Sequence, residues 1–180
     1  MKPLFTAAGI GLTIAYPFLV YWALQHDQAT KLLPLLLVLL VLRGVTGNRI
    51  YERMVLGGTL VGVVIIAVIW GHQLGLKFYP AMVNFGFLII FSSSLFSPPS
   101  IVERLARVRH PDLSPEGVAY TLKVTWVWSG FFLINGSLAA ATALWASDEV
   151  WTLYNGFIAY LLIGILAGGE WLVRRRIVRE

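Results

Sequence analysis

Long apolar blocks separated by short polar segments recur along this chain, and they leave it few ways to fold. Five are plain: Leu4 to Leu24, Met54 to Trp70, Phe78 to Phe96, Val124 to Trp145 and Val150 to Val173, each bounded by charged or turn-forming residues. A helix crossing a hydrocarbon core about 30 Å thick needs roughly 20 apolar residues, so each block has the length of a span. Lipid offers no partner to a bare peptide group, which restricts spanning structures to helices and closed barrels. The blocks lack the alternation of a barrel strand and are about twice as long, so the chain reads as an all-α membrane protein. Its 58% hydrophobic and 13% charged content agrees, because a soluble domain carries about a quarter charged residues. The absence of cysteine excludes disulfides, thiol catalysis and zinc–thiolate sites.

A sixth block, Leu32 to Leu42, is too short alone. It spans only if it extends from about Thr30 to Arg49, with Lys31 snorkelling at one end and Arg43 inside the boundary. The expectation is therefore a single polytopic domain over residues 1–180 with six spans, or five if this block does not cross. Met1 to about Leu24 lacks a small-x-small cleavage site and is read as the first helix rather than a signal peptide.

Six spans place both termini on one face. Lys2, Arg43, Arg49, Arg53, Arg104, Arg107, Arg109, Lys123, Arg174, Arg175, Arg176 and Arg179 then share that face, with only Lys31 and Lys77 opposite. The positive-inside bias makes this the cytoplasmic side. Tyr21, Trp22, Trp70, Phe78, Tyr79, Trp145 and Trp151 fall at the predicted outer ends as an aromatic belt, with Trp171 at the inner end.

The longest loop, residues 97–117, has internal structure of its own. Ser100 and Glu103 have capping-box spacing, so a short helix begins there and Pro111 ends it. Ile101, Leu105 and Val108 share one stripe while Glu103, Arg104 and Arg107 lie on the other, as expected of an amphipathic helix in the cytoplasmic interface. Arg104, Arg107, Arg109 and Lys123 are the candidate contacts to anionic headgroups. Ser114 as N-cap and Pro115 at the first helical position start the next span.

Polar residues within the spans are the other candidates, since lipid makes them costly unless they are partnered. Asn84, Asn135 and Asn155, with Tyr79 at the mouth, either line an outward-opening ligand cavity or bond between helices and hold the bundle together. Arg43 and Glu170 either pair across two helices, or Glu170 pairs with Arg174 at i,i+4 spacing while Arg43 snorkels. His26, His72 and His110 lie in separate loops, and no metal site is expected. Ser92, Ser93 and Ser94 lack a nucleophile elbow and are expected to bond back to helix carbonyls. Gly58-x-x-x-Gly62 and Gly164-x-x-x-Gly168 are small-residue ridges suited to close helix contact within the bundle or across a dimer. No catalytic constellation and no cofactor are expected. Arg174-Arg175-Arg176 reads as a topological anchor rather than a nucleic-acid site.

The order of these features resembles the intracellular septation protein A family of small bacterial inner-membrane proteins. The likeness covers about residues 78 to 176: Ser97-Pro98-Pro99-Ser100-Ile101-Val102-Glu103-Arg104-Leu105, Pro111-Asp112-Leu113-Ser114-Pro115, the run from Trp126 through Trp128, Phe131 and Phe132 to Asn135, and Trp151 before the last helix. It is also similar to small membrane proteins associated with aryl-polyene and acyl-chain synthesis genes. The resemblance implies a bacterial inner-membrane role in envelope integrity, with division or cell-wall synthesis proteins as partners and no catalytic residue to carry over. Lipid binding without catalysis is the leading expectation, with homo-oligomerisation an open question. The alternatives are a carrier of a lipid or polyene-acyl species and a membrane acyltransferase.

Overall fold

The computed structural model describes the backbone of residues 2–47 and 50–177, and the side chains of residue 11 and of residues 15–47 and 50–175. Lys2, Arg49, Arg176 and Arg179, used above to orient the chain, therefore have side chains outside the described set. Among the described residues the chain is helical throughout, without strands: α1 (Lys2–Gln25), α2 (Ala29–Thr46), α3 (Ile50–Trp70), α4 (His72–Phe96), α5 (Ile101–Arg107), α6 (Pro115–Trp145), α7 (Asp148–Leu153), a π-helical segment (Tyr154–Ile158) and α8 (Ala159–Ile177). Five helical stretches are long and apolar enough to cross a membrane: α2, α3, α4, α6 and the continuous run Asp148–Arg175. The chain is thus an all-helical, multi-pass membrane protein. α1 adds a 24-residue helix that contacts α7 and the π segment.

The awkward second block forms α2 despite Pro34, and it stops at Thr46, with the Gly47 N–H bonded to the Arg43 carbonyl. α3 and α4 form a hairpin with one intervening residue. Gly71 makes that turn at φ 95°, a left-handed conformation that disfavours a side chain. One turn on, a Cβ at Gly75 would sit 2.7 Å from the Ala67 Cβ, so the two helices can approach only because it is absent. Gly62 lies against Met82, whereas Gly58, Gly164 and Gly168 face open space. α4 also packs along α6 through an aromatic ladder, with Phe132 5.2 Å from Phe87, 5.1 Å from Phe91 and 5.6 Å from Trp128 between ring centroids.

Long-range bonds define two ends of the bundle. At one, Arg104 reaches Tyr51 and Tyr120 reaches Glu170, bringing together the starts of α3 and α6, α5 and the final turns of α8. At the other, Tyr16, Leu76, Lys77, Asp148 and Trp151 meet. Arg43, Arg53, Arg104, Arg107, Arg109, Arg174 and Arg175 belong to the first end, and Lys77 to the second.

Candidate functional site

Proline organises the second end. Pro80 sits inside α4 and has no N–H for the Leu76 carbonyl, and its ring crowds the preceding turn. The Leu76 carbonyl thus left without its helical donor accepts from Tyr16 Oη at 2.9 Å, and the neighbouring Lys77 carbonyl accepts from Trp151 Nε1 at 3.0 Å. Trp151, expected in the aromatic belt, is instead fully buried, with its indole N–H donating into the turn before Pro80. Lys77 lies nearby with its ammonium 3.0 Å from Asp148 Oδ1, an ion pair joining α4 to the start of α7. Sequence spacing gave no hint of it, since the partners are 71 residues apart.

Deeper in the bundle, the asparagines divide. Asn135 Nδ2 donates to Asn84 Oδ1 at 3.0 Å, Tyr154 Oη donates to Asn135 Oδ1 at 2.8 Å, and Asn84 Nδ2 bonds the Pro80 carbonyl at 2.8 Å. One network thus links α4, α6 and the π segment. Asn155 lies apart from it, donating to Thr142 Oγ1 at 3.2 Å and to Trp151 O at 2.9 Å. Tyr79 packs against Tyr16, with ring centroids 4.5 Å apart. Tyr154 reaches Asn135 from a stretch with i→i+5 bonding, where Ala159 N–H bonds the Tyr154 carbonyl. A π turn inserts about one residue into a helix and so changes which face follows it.

Arg43 and Glu170 are not joined. Arg43 Nε lies 3.5 Å from Glu52 Oε1 across the α2–α3 turn, and Glu170 Oε1 lies 3.6 Å from Arg174 Nε. The short loop and helical spacing bring these closer partners together. The three serines bond back to Leu88, Ile90 and Phe91 carbonyls, and Ser94 Oγ additionally accepts the Ile101 N–H at the start of α5.

α5 forms at its expected start, with Ser100 Oγ accepting the Glu103 N–H, and Ser114 likewise caps α6 through the Gly117 N–H. Its faces differ from the simple amphipathic picture. Ile101 and Glu103 are buried while Leu105 and Val108 are exposed. Arg104 is held by Tyr51 and by the carbonyls of Pro99 at 2.7 Å and Ser97 at 2.9 Å. Arg107 bonds Glu103 at 2.8 Å and the Pro111 carbonyl at 3.0 Å. Two of the four predicted headgroup contacts are therefore engaged in fastening α5, whereas Arg109 and Lys123 are exposed.

Beside α5 lies a cleft of about 760 Å³ between α5, the loop after it, the first turns of α6 and the end of α8. Phe91, Leu105, Val108 and Trp128 contribute apolar wall, Arg109, Arg174 and Arg175 contribute charge, and Tyr120 and Glu170 join its two sides. Sequence reading named Arg109 and Glu170 but had no means of pairing them with Trp128 or Tyr120. Among the described residues no three His, Cys, Asp or Glu side chains gather as metal ligands do. Comparison with protein-family models, with curated proteins and with solved structures returns no match for this chain.

Proposed function

We propose that this chain is a non-enzymatic, multi-pass protein of the bacterial inner membrane that acts in envelope integrity or biogenesis by binding lipids or membrane-protein partners at its basic end. In this reading α1 is the first of six spans, both termini are cytoplasmic, and α5 lies in the cytoplasmic interface. The observation that carries it is the fastening of α5: Arg104 and Arg107 engage five groups of the protein itself, which makes a rigid platform beside exposed Arg109 and a cleft. Concentration of arginine at this end fits anionic inner-leaflet lipid. The resemblance to the septation protein A family, carried by residues 97–105 and by the Trp126 to Asn135 run, adds division or cell-wall synthesis proteins as partners.

A carrier lined by asparagines is the less favoured reading. Asn84, Asn135 and Tyr154 bond to one another and Asn155 bonds elsewhere, so these groups serve helix contacts. The test is deletion of the gene followed by detergent-sensitivity and morphology assays. Sensitised cells, rescued by the wild-type chain but not by Arg104→Gln, are the expected result. An unchanged envelope in the deletion strain overturns the proposal.

A further inference from the structure

We infer that the cleft between α5, α6 and α8 is a binding site for one anionic glycerophospholipid, its phosphate between Arg109, Arg174 and Arg175 and an acyl chain along the apolar wall. This deepens the lipid-binding reading above and rests on it.

Charge comes first. Three guanidinium groups line the cleft against one carboxylate, Glu170, so its charge favours an anion. The arginines are also oriented. Arg174 turns its Nε toward Glu170 at 3.6 Å, which leaves both Nη groups as donors. The Arg175 guanidinium lies 4.3 Å from the Trp171 ring centroid, and stacking holds its plane while its edge stays available for phosphate oxygens. Arg109 has no side-chain partner among the described residues and lines the cleft from just beyond α5.

The rest of the lining decides between lipid and a free anion. Phe91 and Trp128 belong to the aromatic ladder and form one wall, and Leu105 of α5 and Val108 just after it line the cleft, 50% and 81% exposed. Such a surface gives a soluble phosphate nothing, whereas an acyl chain removes its apolar area from water. α8 touches α6 sparingly, and the Tyr120 hydroxyl donating to the Glu170 carbonyl at 3.1 Å ties them at this cleft. A chain inserted from the surrounding bilayer therefore meets little packed protein.

Full-length protein in nanodiscs of equal phosphatidylglycerol and phosphatidylcholine, released into the gas phase for native mass spectrometry, tests this. One phosphatidylglycerol retained in strong excess over phosphatidylcholine is the expected result. Combined Arg109→Gln, Arg174→Gln and Arg175→Gln should reduce that preference about tenfold or more, and Lys31→Gln, an exposed cation outside the cleft, should leave it unchanged. Val108→Trp keeps every arginine but fills the apolar side, and should also reduce retention, which covers a triple variant that fails to fold. Lipid retained without headgroup preference overturns the site and leaves the broader lipid-binding reading standing, while no retained lipid overturns both. Displacement by millimolar glycerol 3-phosphate as effective as by short-chain phosphatidylglycerol assigns the site to a soluble anion and overturns the inference.

Discussion

The Asn135 side chain joins three parts of the bundle, α4, α6 and the π segment. It is 3% exposed, and it bonds Asn84 on α4 and Tyr154 on the π segment. Within lipid neither partner has water to fall back on, although interhelical bonds of this kind are worth only about 0.6 kcal/mol on average. Asn135→Ala should cost about 1 kcal/mol, and the Asn84→Ala, Asn135→Ala cycle should show coupling of about 0.6 kcal/mol in denaturant titration in mild detergent. Asn155→Ala should be additive with Asn84→Ala, since Asn155 bonds Thr142 rather than the Asn84 pair. The polar residues within spans were legible as needing partners. Which of them would meet was not, because that depends on the rotation of α4 against α6.

At the scale of elements, Pro80 and Tyr16 behave as one unit. Proline removes the donor that α4 would supply to Leu76, and a tyrosine from α1 replaces it. Tyr16→Phe should therefore destabilise the wild-type protein by about 1 kcal/mol, while in a Pro80→Ala background, where the new N–H reaches Leu76, the same change should cost little. Thermal melts of the four proteins in one detergent give the cycle directly. The helix starts at Ser100 and Ser114 follow local rules, since a hydroxyl three residues before a free N–H is a complete signal. The π segment carries no such signature. It arises where Tyr154 reaches Asn135 and Gly156 lets Phe18 approach, both tertiary demands.

For the whole molecule, the proposed sidedness is open to direct measurement because the chain has no cysteine to remove. Single cysteines at Asp27, Gln73 or Ser147 should react with a membrane-impermeant maleimide added to intact cells whose outer membrane has been permeabilised. Cysteines at Gly47 or Asp112 should react only after the inner membrane is opened. Labelling of Asp27 and Gly47 from the same side would mean that α2 does not cross, and would remove the six-span arrangement.

What the sequence alone determined was the class of molecule, the helices and their caps, because hydropathy, block length and capping spacing act through the nearest few residues. Tertiary structure decided the partners. Arg43 met Glu52 across the α2–α3 turn, the pairing of Asn84 with Asn135 excluded Asn155, and Trp151 turned from the expected belt into the core. The basic interfacial segment was visible in outline, yet two of its arginines fasten α5 and only Arg109 joins Arg174 and Arg175 at the cleft. Each of these outcomes turns on how one helix is rotated and placed against another, which periodicity within a single span does not encode.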